Sequence, residues 1–191
     1  MSMAVVNDTS HKHWTAADRQ EIADDRNRYE IIDGELFVTP SPSWAHQRLT
    51  RELLRLIGDY LRTHRLGEVL SAPADVTLTD DTVVEPDLFV VPLVEGRPAG
   101  SWVDVRRLLL VIEILSPATA HADRTVKRRR YQREGVPEYW IVDGDARLVE
   151  RWRPEDERPE MISDRLEWKP AAAMAPLVVD LAKLFEAALW E

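Results

Sequence analysis

Two apolar runs in this chain carry acids where an ordinary buried strand has none. One is Val83-Val84-Glu85-Pro86-Asp87-Leu88-Phe89-Val90-Val91, and the other is Leu108-Leu109-Leu110-Val111-Ile112-Glu113-Ile114-Leu115. Short β-branched and aliphatic runs of this kind read as strands buried on both faces. An ionised carboxylate inside one costs on the order of several kcal/mol unless a cation or hydrogen-bond donors satisfy it. Two such acids in successive strands point to a shared purpose, and a divalent cation is the simplest. Side chains alternate along a strand, so Asp87 shares a face with Glu85 and Phe89, and Glu113 with Val111 and Leu115. If the strands are neighbours, Asp87 and Glu113 meet at one end of the sheet. Two carboxylates suit Mg²⁺, with Mn²⁺ as a substitute, because Mg²⁺ takes oxygen ligands and relies on one or two protein carboxylates.

Composition narrows the class. At 191 residues, with 45% hydrophobic and 31% charged residues, the chain reads as one globular domain spanning 1–191, with residues 1–13 expected to be flexible. The absence of cysteine excludes disulfides, thiolate metal sites and cysteine nucleophiles, and fits a cytoplasmic protein. The opening MSMAVVNDTSHKHW lacks a secretory pattern, and no apolar run reaches the roughly 18 residues that span a bilayer, so no membrane partner is expected. A net charge of −9 argues against a surface coated in positive charge for nonspecific nucleic-acid binding, while leaving room for a local basic site.

Taken in order, Thr15 predicts a helix cap, with Asp18 in the first turn. The segment from Tyr29 to Val38 predicts a hairpin about Asp33-Gly34, since a two-residue primed turn needs positive φ at both central positions. Ser41-Pro42-Ser43 opens a helix whose stripe is Leu49, Leu53, Leu54, Ile57 and Leu61, with Gly67 as its stop. Val69 to Leu78 reads as a strand carrying an edge or bulge at Pro73, and Asp80-Asp81 as a turn. A helix from about His121 to Glu134 precedes Gly135, and strands are expected at Tyr139–Val142 and Leu148–Trp152, with another near Arg165–Trp168. Asp180 caps a last amphipathic helix. Strands interleaved with helices imply an α/β (α+β) fold with a mixed central β-sheet flanked by helices and an added N-terminal hairpin.

The helix after Glu113 holds six basic residues in the ten positions from Arg124 to Arg133. Arg124, Lys127 and Tyr131 fall on one face. Arg124, Arg128 and Arg129 are the candidates to meet phosphates.

The ordered set DGEL, a helix beginning near His46, EPDLFVV, VIEILSP and DRTVKRRRYQREGVPEYWIVD resembles the Uma-type family of putative restriction endonucleases, within the PD-(D/E)XK phosphodiesterase superfamily. The likeness runs from about Trp14 to Arg153. It implies a restriction-endonuclease-like fold, with Asp87 and Glu113 as metal ligands and catalytic acids. Leu115 stands where that superfamily places its lysine, and a leucine cannot orient water or steady phosphate charge. Lys127, on the following helix, is the expected substitute. His46 matches a family histidine yet also lies on an apolar helix stripe. Glu35, beside the Gly34 turn, and Tyr131 are further candidates for the same cleft.

Three functions compete at this stage. The first is a Mg²⁺-dependent endonuclease acting on DNA, plausibly as a homodimer for paired cuts. The second is a nuclease-like module that binds nucleic acid or a protein partner without cutting, as Leu115 would allow. The third is a structural dimerisation domain whose acids and Lys127 form a buried ionic network.

Overall fold

The computed structural model describes residues 4–5, 12–22, 27–101, 105, 107–171 and 173–189. Most of the segment expected to be flexible, 1–13, lies outside the described residues. Within it, strand β1 (Ala4–Val5) pairs with Val38 and Phe37. Helix α1 (Ala16–Glu21) starts as its sequence dictates: the Thr15 side chain accepts from the Asp18 N–H, and the Asp18 carboxylate accepts from the Thr15 N–H, a capping box.

Strands β2 (Arg28–Ile32) and β3 (Glu35–Thr39) form the expected hairpin. Asp33 and Gly34 sit at φ 52° and 80°, the conformation a primed turn requires. Helix α2 (Trp44–His64) is capped by the Ser43 side chain and buries Leu49, Leu53, Ile57 and Leu61 along one stripe. Burying each such side chain is worth about 1.5–3 kcal/mol. Gly67 does not stop this helix. The chain turns at Arg65, which takes the left-handed conformation at φ 52°. Gly67 instead opens β4 (Gly67–Ser71), packed so closely on the Val91 carbonyl that no Cβ would fit.

Two prolines then break runs that the sequence presents as continuous. The expected strand Val69–Leu78 divides at Pro73 into β4 and β5 (Val76–Thr79), which belong to different sheets. The first acidic run likewise divides into β6 (Thr82–Val84) and β7 (Leu88–Pro92), with Glu85-Pro86-Asp87 carrying the chain from one sheet to the other. A proline has no N–H to donate to a ladder, so a sheet change is cheap there.

The second acidic run gives β8 (Leu110–Ile114). A helical crossover follows: α3 (Ala120–Ala122), a π-helical turn (Asp123–Lys127) and α4 (Arg128–Arg133). It returns the chain to β9 (Tyr139–Asp143), parallel to β8, as a crossover connection should. Strands β10 (Leu148–Trp152), β11 (Glu160–Ile162), β12 (Arg165–Trp168) and β13 (Leu177–Asp180) lead into helix α5 (Leu181–Leu189). Asp180 accepts from the Lys183 N–H at 3.1 Å, as expected of the cap.

The described strands form an antiparallel sheet β1-β3-β2-β6-β5, a mixed sheet β11-β10-β9-β8-β7-β4, and the hairpin β12-β13. Alternation splits the mixed sheet between two cores. Leu88, Val90, Leu110, Ile112 and Ile114 pack with α2, α5 and the β12-β13 hairpin. Phe89, Val91 and Val111 pack with Ile32, Phe37 and Val84 of the first sheet and with Tyr131 of the crossover. Glu113 shares the face of Val111, so its carboxylate enters the second, inter-sheet core.

Candidate active site

Strands β7 and β8 are antiparallel partners, with Leu88 opposite Ile112. One further step in that register puts Asp87 opposite Glu113, and the Asp87 N–H reaches the Glu113 Oε2 at 3.4 Å. Both side chains are buried, and both line one cleft of about 390 Å³. Arg28, His46, Leu115 and Ser116 share its walls. The two acids thus meet at one end of adjacent strands.

Asp87 is held from three sides. Arg28 Nη1 donates to its Oδ1 at 2.8 Å, while the Ile114 N–H donates to Oδ2 at 2.8 Å. His46 Nε2 lies 2.9 Å from the same Oδ2. Burial pushes this carboxyl up, but the His46 hydrogen bond, the Arg28 charge and the Ile114 N–H together hold it well below the usual carboxylate range. Asp87 therefore stays ionised.

Glu113 is the opposite case. Burial pushes it well above its ordinary value, Lys127 pulls it down, and Asp87, Asp123 and Glu30 push it up again. The Lys127 ammonium, 1% exposed, sits 3.0 Å from Glu113, 2.7 Å from Glu30 and 3.5 Å from Asp123. Desolvation alone would neutralise a buried lysine, but those three carboxylates reverse the sign and keep it charged, well above its usual pKa. Tyr131 donates toward Glu113 at 3.5 Å from the same helical crossover. The π-helical turn spans Asp123 to Lys127, the kind of local irregularity often found at functional sites.

The cluster carries more negative charge than its permanent cations neutralise. Five buried carboxylates, Glu30, Glu85, Asp87, Glu113 and Asp123, face three cations, Arg28, Lys127 and, 3.9 Å from Glu85, Arg19. Burial lifts Glu85 to about 7 and Asp123 to about 6. An additional cation in the cleft would relieve this excess. Among the described residues no three His, Cys, Asp or Glu side chains make a ready metal cage. An oxygen-liganded ion that keeps waters fits the pair Asp87 and Glu113 better than a metal requiring a full protein shell.

The other sequence candidates divide. His46 joins the site through Asp87, and Tyr131 through Glu113. Glu35 does not: it shares the hairpin face of Glu30, Ile32 and Phe37, but at the turn end of β3 it lies exposed. The acid that this hairpin contributes is Glu30, buried in β2, whose Oε1 accepts from the Glu85 N–H at 2.9 Å. The criterion that picked out Asp87 and Glu113, an acid inside an apolar run, also applies to Glu30 in Tyr29-Glu30-Ile31-Ile32. Asp123 was legible as the i−4 partner of Lys127.

The basic helix is largely neutralised within the chain. Arg124 donates to Glu150 at 2.6 Å and to Asp143 at 3.3 Å. Arg128 lies over the Trp152 ring, 4.6 Å from its centroid, and donates to Gln132 at 2.7 Å. Arg129 is exposed but borders a separate depression with Arg133 and Pro154. None of the three lines the acidic cleft. The single face predicted for Arg124, Lys127 and Tyr131 is divided, with Arg124 turned to β10 while the other two turn to Glu113.

Comparison with known proteins bears on the family and the fold. The family model described as "Uma2: Putative restriction endonuclease" matches residues 14–179. A solved structure described as a putative nuclease belonging to DUF820 from Anabaena variabilis superimposes with a TM-score of 0.75 at 19% identity. The match covers 92% of this chain and 99% of that one, and shows that the two share one fold, the restriction-endonuclease-like architecture expected. No curated protein matches. Among the described residues no helix is long and apolar enough to cross a membrane.

Proposed function

The chain belongs to the Uma2 family of putative restriction endonucleases, and from that premise we propose that it is a Mg²⁺-dependent phosphodiesterase that cuts DNA. One observation carries the reading: Asp87 and Glu113 are brought together at the floor of a cleft by antiparallel β7 and β8, inside a cluster with excess negative charge.

Asp87 and Glu113 are the residues that would hold the ion. A divalent ion held there supplies a Lewis acid for a phosphoryl oxygen and a bound water of lowered pKa. The chain's own groups prepare the site. His46 and the Ile114 N–H fix the orientation of Asp87. Lys127 offsets part of the rise that burial imposes on Glu113 and so eases its ionisation when a cation binds. Its ammonium lies behind Glu113 and does not line the cleft, so its part is to position Glu113. That is a narrower role than the displaced catalytic lysine expected from the resemblance.

A second reading, a nuclease-like module that binds without cutting, is favoured by Leu115, which puts an apolar side chain on the cleft wall. Calorimetric Mg²⁺ binding to wild type and Asp87→Ala, paired with a DNA cleavage assay, separates the two. The nuclease reading requires metal binding, its loss in Asp87→Ala, and cleavage that chelation and Glu113→Ala both abolish. Metal-independent DNA binding without cleavage would favour the module.

A further inference from the structure

If the cleft cuts a phosphodiester, it needs a cation facing the phosphate, and Lys127 does not supply it. That ammonium is 1% exposed, enclosed by Glu30, Glu113 and Asp123. Leu115, on the cleft wall, is neutral. Among the described residues lining the cleft, one is an arginine or lysine: Arg28.

We propose that Arg28 is the phosphate-binding residue of this cleft, a guanidinium that neutralises Asp87 in the empty site and donates to a nonbridging phosphate oxygen of the DNA strand once a divalent cation engages Asp87. The proposal rests on the nuclease reading above. Arg28 is the first residue of β2 and shares the face of Glu30, so the strand aims it at the acidic cluster. Its Nη1 lies 2.8 Å from Asp87 Oδ1 and its Nε 3.4 Å from Glu85 Oε1, and its side chain is 14% exposed at the cleft. A planar fork that fits a carboxylate also fits a phosphate, through the same paired donors. Asp87 does not depend on Arg28 for its orientation, because His46 and the Ile114 N–H contact its other oxygen. Glu85 in turn tethers Arg28 through Nε while Nη1 changes partner.

The test is binding of a DNA oligonucleotide by fluorescence anisotropy across a salt series, with Ca²⁺ replacing Mg²⁺ to suppress turnover, alongside Mg²⁺ calorimetry. Arg28→Gln should weaken DNA binding and lower the slope of log K against log salt by roughly one phosphate contact, about 0.7–0.9. Its Mg²⁺ affinity should match or exceed that of wild type, because a competitor for Asp87 is gone. A merely structural counter-ion would leave the salt slope unchanged, and that result overturns the proposal. Should Arg28→Gln fail to fold, Arg28→Lys carries the test. A retained slope with weaker affinity supports a forked phosphate contact, and unchanged affinity overturns it. Wild type that binds DNA but no metal refutes the nuclease reading itself, and the slope in Arg28→Gln then still decides the phosphate contact.

Discussion

Replacing Lys127 with methionine should destabilise the fold, and more so at high pH. The ammonium faces carboxylates at 2.7, 3.0 and 3.5 Å, all of them buried. At an effective dielectric near 20 each contact is worth roughly 5 kcal/mol of gross attraction. Most of that offsets the removal of four charges from water, so the net loss is smaller. Breaking a buried ionic cluster by deleting one partner costs about 3–5 kcal/mol. For a chain of this size that lowers Tm by about 6–20 °C, at about 2–4 °C per kcal/mol. The stranded acids can escape by taking up protons. Asp123 is already raised to about 6 and Glu113 lies well above its ordinary value; losing Lys127 removes the main influence holding both down. A carboxyl whose pKa rises on folding binds its proton more tightly in the folded state, so stability falls as pH climbs through the window between the unfolded and folded values. The penalty should therefore be smaller near pH 5 than at pH 8. Thermal and urea denaturation of wild type and Lys127→Met at both values measures it. A loss under about 1 kcal/mol at pH 8, or an equal loss at both pH values, would refute the argument that this lysine holds the carboxylates.

The metal-free wild type should itself lose stability from about pH 4.5 to 7, because Glu85 is raised from 4.5 to about 7 and Asp123 from 3.8 to about 6; Glu85→Gln should flatten that slope in a Tm-against-pH series. Mg²⁺ at 100 times its Kd should add about 2.7 kcal/mol, and less at pH 5 than at pH 8, because protons compete more strongly for the raised Glu113 carboxyl at low pH; equal stabilisation of Asp87→Asn would place the ion elsewhere. His46→Ala removes the imidazole that steadies Asp87 and should weaken Mg²⁺ binding about 10–100-fold by calorimetry without unfolding the chain. Leu53→Ala, in the core stripe of α2, should cost about 2–5 kcal/mol in urea denaturation while leaving Mg²⁺ affinity unchanged.

The sequence by itself determined the local pieces and the chemistry of the site's floor. Thr15, Ser43 and Asp180 are caps because their side chains accept backbone N–H groups a few residues away, and Asp33-Gly34 is a turn because of its own φ requirements. Asp87 and Glu113 stood out because burying a charge is expensive whatever the fold. The resemblance carried by EPDLFVV and VIEILSP extended this to a nuclease-like architecture. Everything that depended on which partner a side chain meets across long separations had to wait for the tertiary structure. Pro73 and Pro86 could mark bulges or sheet changes, and only packing made them sheet changes. Glu30 and Glu35 share one face of the same hairpin, and packing buried the first in mid-strand while leaving the second exposed at the turn. Of the arginines expected to meet phosphates, Arg124 is taken up by Glu150 and Asp143 while Arg129 stays exposed, a division set by what packs against the crossover. Lys127 lies beside Glu113 with Asp123 one helical turn away, but its contacts with Glu113 and Glu30, and the position of Arg28 at the cleft, join residues 14 to 97 positions apart. Charge is local to a residue, whereas its neutralisation belongs to the fold.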